Sequence, residues 1–279
     1  MSFPRAGLFH SIINQGVSYF VNLLTWIILF SLLGGVLSVI AAATFLVLSE
    51  NIRGRLIPHL VSFAIGALLG AAFLALIPHS LSGPFKIDVH HLGMTILLGL
   101  LAFFVMEKLV IWRHCHTDHC EAHPHHLDHS DKAAGSLVLI GDGIHNFIDG
   151  VLIAAAFMTD IHLGIVTSLA VATHEIPQEV GDFAILLNSG LSRQKALMFN
   201  VLASLTTVVG ALIAYYSLSD LQSYLPYVLA VAASSFIYIA VADLIPGLHK
   251  RTQLLVGLQQ MLLISAGVMV IFFAHSQLH

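Results

Sequence analysis

Two short segments near the middle of the sequence carry histidine, carboxylate and carboxamide side chains at helical spacing. The first reads GDGIHNFIDG, and its polar residues are Asp142, His145, Asn146 and Asp149. The second reads THEIPQEVGDF, and its polar residues are His174, Glu175, Gln178, Glu179 and Asp182. Residues three or four positions apart share one face of a helix, so each segment would present these side chains together. Imidazole mixed with carboxylate suits Zn²⁺, Fe²⁺ or Mn²⁺ better than Ca²⁺ or Mg²⁺.

The two segments match at their first, second and fifth positions, counted from each histidine. The matched pairs are His145 with His174, Asn146 with Glu175, and Asp149 with Gln178. Two such helices lying side by side would direct these six candidate metal ligands at one point. Pro177 removes a backbone donor within the second segment, which would let that helix bend beside the ligands.

Two other interpretations of these segments remain open at this stage. The polar residues could form an internal network that holds two helices together without an ion. His174 and Glu175 also begin like the H-E-x-x-H pattern of a zinc metalloprotease, which would make the chain an intramembrane protease. That pattern needs a second histidine at position 178, where this sequence has Gln178.

The composition requires lipid as the main solvent of the chain. Of its 279 residues, 57% are hydrophobic and only 9% are charged, and the mean hydropathy is +0.90. A soluble domain of this length needs far more polar residues to cover its surface. The net charge of −4 also excludes the basic footprint of a nucleic-acid-binding protein.

The apolar runs predict eight membrane-spanning helices. Each run is long enough to cross about 30 Å of hydrocarbon, which takes about 20 helical residues. None shows the short alternating pattern of a β-barrel strand. The predicted spans are 23–48, 59–81, 91–112, 134–158, 162–187, 196–217, 223–246 and 254–275.

The basic residues predict the orientation of these helices. If both termini lie outside, nine of the eleven Lys and Arg residues lie in the cytosol, as the positive-inside rule requires. The nine are Arg53, Arg55, Lys108, Arg113, Lys132, Arg193, Lys195, Lys250 and Arg251. The first three and last three helices then run in opposite senses around a central pair. This 3+2+3 arrangement with inverted outer halves is typical of secondary transporters.

The ligand segments resemble those of the ZIP family of Zrt- and Irt-like metal transporters, especially its histidine-rich branch. The similarity covers His145 to Gly150, His174 to Phe183, and FFVMEKLVIWRHCH from Phe103 to His116. The resemblance implies eight helices, both termini outside, and uptake of metal toward the cytosol. It also implies primary ligands at His145, Asp149, His174 and Gln178, with Asn146 and Glu175 contributing to a second, neighbouring metal position.

Several residues depart from the pattern of that family. Gln178 stands where a histidine is common, and Thr207 stands where some relatives have a glutamate of the second metal position. Ala71 and Ala75 occupy positions that are usually polar in the second helix. Two divalent ions a few Å apart need anionic ligands between them, so Thr207 and the neutral Gln178 predict a single tightly held ion.

Residues 113–133 form a loop rich in histidine within a single transporter domain, residues 1–279. Placed in the cytosol by the charge rule, this loop would bind metal transiently or serve only as a solvated linker. The expected substrate is zinc, with iron, manganese or cadmium as alternatives, and no cofactor is expected. We expect a multi-pass protein of the cell (inner) membrane, whose small apolar residues would permit a homodimer.

Overall fold

Eight long helices make up nearly all of the part of the chain that the computed structural model describes, namely residues 23–45, 47–82, 85, 87–115, 130–249 and 253–278. We number them α1 to α8 in chain order. They are α1 (Leu23–Phe45), α2 (Glu50–Gly70, continued by Ala71–Leu76 and Ile77–Ser82), α3 (Val89–Cys115), α4 (Ser130–Thr159), α5 (Ile161–Asn188), α6 (Arg193–Leu218), α7 (Gln222–Leu248) and α8 (Leu254–Leu278). The predicted all-helical architecture is therefore confirmed, and each helix contains the greater part of one predicted span.

Seven of these helices are long and apolar enough to cross a membrane. The exception is α5, which has 28 residues but carries His174, Glu175 and Glu179 on buried positions. Several helices extend past the predicted spans, because hydropathy detects only the apolar part of a helix and misses its polar ends. The 3+2+3 arrangement and the outside location of both termini stay predictions.

The most extensive packing between two helices of the described chain is that of α4 against α6, and α5 also packs against α4. Gly150 and Gly210 allow this close approach. A Cβ atom on Gly150 would lie 1.9 Å from the backbone oxygen of Thr207, and one on Gly210 would lie 2.0 Å from that of Phe147. Only glycine permits backbones to meet at this distance, as in the small-residue interfaces of other membrane helices.

Two helices contain a π-helical turn at mid-length. In α2 the turn comprises Ala71–Leu76, and in α7 it comprises Ile239–Leu244. Such turns are frequent at functional sites. The α-helical pattern of α5, in contrast, continues through Pro177.

The start of α5 has a clear local cause. Asp160 lies at the N-cap, and its side chain accepts hydrogen bonds from the backbone nitrogens of His162 at 2.8 Å and Leu163 at 3.0 Å. Capping satisfies amide donors that a helix end would otherwise leave unpaired. The helix ends just before Gly190, whose φ of 88° favours glycine. Asp160 and Gly190 thus mark the two ends of α5, the helix that carries half of the candidate ligands.

Candidate metal site

Four of the six predicted ligands meet between α4 and α5. The side chains of His145, Asp149, His174 and Glu175 each offer a ligand atom within 4.8 Å of the others, and we call them the His–carboxylate cluster. His145 Nε2 lies 3.3 Å from His174 Nε2 and 3.3 Å from Glu175 Oε1. His174 Nε2 lies 3.3 Å from Asp149 Oδ2. Two nitrogens bound tetrahedrally to one zinc ion at about 2.0–2.1 Å would be roughly 3.3 Å apart, so this spacing fits a shared metal ion.

The tautomer of His174 also suits metal binding. Its Nδ1 lies 3.1 Å from the backbone oxygen of Ala170. A carbonyl oxygen can only accept a hydrogen bond, so Nδ1 carries a proton, and in the neutral imidazole Nε2 then presents its lone pair to the cluster. Histidine ligands of metals are commonly oriented through their second nitrogen in this way.

The carboxylates of the cluster lie in a region where an unpaired charge is costly. Asp149 and Glu175 are fully buried. Within the described residues, none of their four oxygens has a partner in hydrogen-bonding geometry. Burying such groups without compensation costs several kcal/mol at the least. A cation held between the two carboxylates and the two imidazoles would remove that cost.

The two remaining predicted ligands, Asn146 and Gln178, lie beside the cluster. Asn146 is buried and donates through Nδ2 to Asp142 Oδ1 at 2.8 Å. Its Oδ1 accepts a hydrogen bond from Thr207 Oγ1 at 2.8 Å. Gln178 is half-buried on the wall of the adjacent cavity, which it shares with His145. Both residues therefore stay predicted ligands, and in this arrangement the amide of Asn146 is engaged by protein groups.

A second group of acids adjoins the cluster, and two of its three members were left out of the ligand prediction. Asp142, Glu175 and Glu179 each offer an oxygen within 4.8 Å of the others. The spacing contained this signal, because Asp142 precedes Asn146 by four positions and Glu179 follows Glu175 by four. The expectation of a single ion counted only Asp149 and Glu175 as carboxylates, and the structure adds two more.

A cavity of about 390 Å³ opens beside His145 and Gln178. Its polar lining also includes Glu107, Asp182 and Asp243. The helix segments around it are the late parts of α3, α5 and α7 and the early parts of α2 and α4. These segments lie toward the α1–α2, α3–α4, α5–α6 and α7–α8 connections, so the cavity leads from the cluster to one side of the bundle.

The opposite side of the bundle is closed above the cluster. Fully buried apolar side chains fill it, among them Ala75, Leu152, Phe157 and Phe236. Beyond them lies a small pocket of about 60 Å³ that Met158 helps to line. The cluster therefore communicates with one face of the membrane through the cavity and is sealed from the other by packed side chains.

Glu107 pairs within the bundle. Tyr238 donates its hydroxyl proton to the Glu107 carboxylate, and both residues line the cavity together with Asp243. The neighbouring Lys108 lies over the ring of Phe104, with its Nζ 5.9 Å from the ring centroid. The histidine-rich loop predicted at 113–133 lies mostly outside the described residues, since the description stops at Cys115 and resumes at Ser130.

Comparison with known proteins gives consistent matches. A family model described as "ZIP Zinc transporter" matches residues 112–275. Zinc transporter ZIP13 of Pongo abelii is 32% identical over 224 residues, which is 76% of this chain and 65% of that protein. Zinc transporter YKE4 of Saccharomyces cerevisiae is 34% identical over 221 residues, 71% of this chain and 63% of that protein. The chain thus matches about two thirds of the length of these relatives.

These matches agree with the geometry of the site. The relatives are named as transporters, so the metalloprotease interpretation is set aside. The family match includes both ligand segments, and the structure brings their histidines and carboxylates to one point. The chain belongs to the ZIP zinc transporter family.

Proposed function

We propose that this protein transports divalent transition metal ions, zinc foremost, toward the cytosol through the His–carboxylate cluster between α4 and α5. The observation that carries the proposal is the convergence of two imidazoles and two buried carboxylates from different helices at one point. Nitrogen and oxygen donors in this combination suit zinc and its neighbours in the first transition row.

The direction of transport follows from the cavity and the charge distribution. The cavity opens to the side of the α1–α2, α3–α4, α5–α6 and α7–α8 connections. In the sequence, nine of the eleven Lys and Arg residues fall in these connections or in the helix ends beside them, which supports a cytosolic location for that side. An ion leaving the cluster would pass Glu107 and Asp243 on the cavity wall. The protein would sit in the cell (inner) membrane with its histidine-rich loop at the exit.

Metal uptake into proteoliposomes tests the role of the cluster. We expect His145→Ala and His174→Ala each to weaken zinc binding on the order of 100-fold and to abolish saturable zinc uptake, because each removes a ligand that faces the other three. The matched control is His91→Ala, which changes an exposed histidine at the start of α3 and should leave uptake unchanged. Normal saturable uptake by both cluster variants would refute the assignment.

A further inference from the structure

A group of buried oxygen atoms adjoins the His–carboxylate cluster and shares Glu175 with it. It contains the carboxylates of Asp142, Glu175 and Glu179, which come within 4.8 Å of one another. The amide of Asn200, from α6, joins this group. All four residues are buried, with relative exposures of 4%, 0%, 0% and 1%. The group thus draws on three helices, α4, α5 and α6.

Three carboxylates at this separation cannot all be ionised unless a positive charge lies between them. Among the ion pairs of the described residues, only His145 and His174 approach Glu175, and neither pairs with Asp142 or Glu179. In a medium of low dielectric constant, the uncompensated repulsion is far larger than in water. Buried ionisable groups in membrane proteins are therefore paired with one another or with an ion.

The hydrogen bonds around the group orient its oxygens, and some buried acceptor atoms receive no hydrogen bond. Asn146 Nδ2 donates to Asp142 Oδ1, whereas Asp142 Oδ2 is buried and has no partner among the described residues. Asn200 Nδ2 donates to Glu179 Oε2 at 2.7 Å, whereas Asn200 Oδ1 is buried and unpartnered in the same way. Ser204 Oγ donates to Glu179 Oε1 at 3.1 Å. Donors therefore hold Asp142 and Glu179 in place, while two buried acceptor atoms, Asp142 Oδ2 and Asn200 Oδ1, have no donor among the described residues.

This group differs from the second metal position that the family resemblance implies. That position would use Asn146 and Glu175 together with the residue at 207, so the two share only Glu175. Here Thr207 donates to Asn146 Oδ1, so the two side chains bind each other. Any second ion would find its anionic ligands one helical turn away, at Asp142 and Glu179.

We propose that Asp142, Glu175 and Glu179 form a second divalent-cation site, made only of oxygen ligands and joined to the His–carboxylate cluster through Glu175. An all-oxygen site favours a cation that prefers oxygen, such as Mn²⁺, over Zn²⁺. The proposal rests on the proposed function, since Glu175 belongs to both groups. The second site would let the protein hold two ions at once, and the two sites would differ in which metal they prefer.

Binding of Mn²⁺ to the purified full-length chain in detergent tests this site. We expect two Mn²⁺ ions per chain by equilibrium binding. We also expect an electron paramagnetic resonance spectrum broadened by coupling between the two ions, because one carboxylate bridges them. Glu179→Gln and Asp142→Asn should each leave one ion and restore the sharp six-line signal of isolated Mn²⁺. The retained ion shows that these variants fold.

Two further variants complete the test. Asp220→Asn changes an exposed acid after α6 and should keep both ions and their coupling. His145→Ala should keep one Mn²⁺, held by the acids. The proposal is overturned if the wild-type chain binds only one Mn²⁺, or if Glu179→Gln and Asp142→Asn both retain two coupled ions. Failure of the zinc-uptake experiment would not produce either result, so the two proposals are tested separately.

Discussion

At the scale of single residues, Gln178 is the weakest of the predicted ligands. It lies one helical turn after His174 and faces the cavity beside His145. A carboxamide offers a neutral oxygen, whereas the imidazole of a histidine is a stronger ligand for zinc and similar metals. The site would therefore hold its ion less tightly than one with three histidines.

The substitution Gln178→His should tighten zinc binding on the order of tenfold, which corresponds to about 1.4 kcal/mol. The added imidazole would also slow release into the cavity, so the maximal rate of uptake should fall. Isothermal titration with zinc and initial-rate uptake measure the two effects. Gln178→Asn, which shortens the side chain and keeps the amide, is the matched control. Unchanged zinc affinity in Gln178→His would show that position 178 does not contact the ion.

Most of the cluster, but not all of the site, could be predicted at this scale. His145, Asp149, His174 and Glu175 followed from helical spacing, because α4 and α5 are regular where these residues lie. Asp142 and Glu179 were set aside, since spacing along one helix does not show how deeply a residue lies between three helices. The bond between Asn146 and Thr207 joins residues 61 positions apart, and no local pattern reveals it.

At the scale of helices, the position of α4 relative to α6 depends on Gly150. This residue closes the first ligand segment, directly after Asp149. The backbone of α6 approaches so closely there that any side chain would have to displace it. Gly150 therefore sets how closely α4, which carries ligands, approaches α6.

We expect Gly150→Ala to destabilise the protein by about 1–3 kcal/mol, the usual cost of overpacking, and to reduce zinc uptake because α4 must move away from α6. Gly143→Ala, on the same helix, is the control. Its Cβ would meet only Thr206 Cγ2 at 4.0 Å, so it should be neutral or slightly stabilising. Thermal unfolding in detergent compares the two. Equal melting temperatures would contradict the role given to Gly150.

The existence and order of the helices followed from hydropathy, but several details did not. The start of α2 at Glu50 precedes its predicted span by nine residues, since polar residues in the first turns of a helix carry no apolar signal. The bend predicted at Pro177 depends on how neighbouring helices hold α5, and the α-helical pattern is continuous there. Hydrophobic periodicity in the sequence does not reveal the π-helical turns.

At the scale of the whole molecule, the structure corresponds to one conformation of the proposed transport cycle. The cavity reaches the cluster from the side that the charge rule places in the cytosol, while packed apolar residues close the other side. Under the proposed orientation, this is the state that releases an ion into the cell. Its sidedness can be measured with single cysteines.

We expect Met106→Cys to react with a membrane-impermeant maleimide only from the cytosolic side, because Met106 lines the cavity. The background needs Ser at both native thiols, Cys115 and Cys120. Met158→Cys, on the far side of the seal, should not react from the cytosol. Reaction of Met106→Cys in right-side-out vesicles would reverse the orientation. Zinc should slow the maleimide reaction of Met106→Cys by occupying the cavity.

The π-helical turn in α7 has a consequence for how the chain tolerates insertions and deletions. A π turn holds about one residue more than an α turn, so the segment Ile239–Leu244 carries a residue that a straight helix would not. The π turn could lose that residue and become α-helical with the rest of the helix in place, whereas losing one residue from the regular α-helical part before it, Leu225–Tyr238, would rotate everything that follows by about 100°. Asp243 would then swing off the cavity wall, while the hydropathy of the helix would hardly change. The helical register of α7, and not only its apolar character, therefore determines whether Asp243 lies beside the exit route.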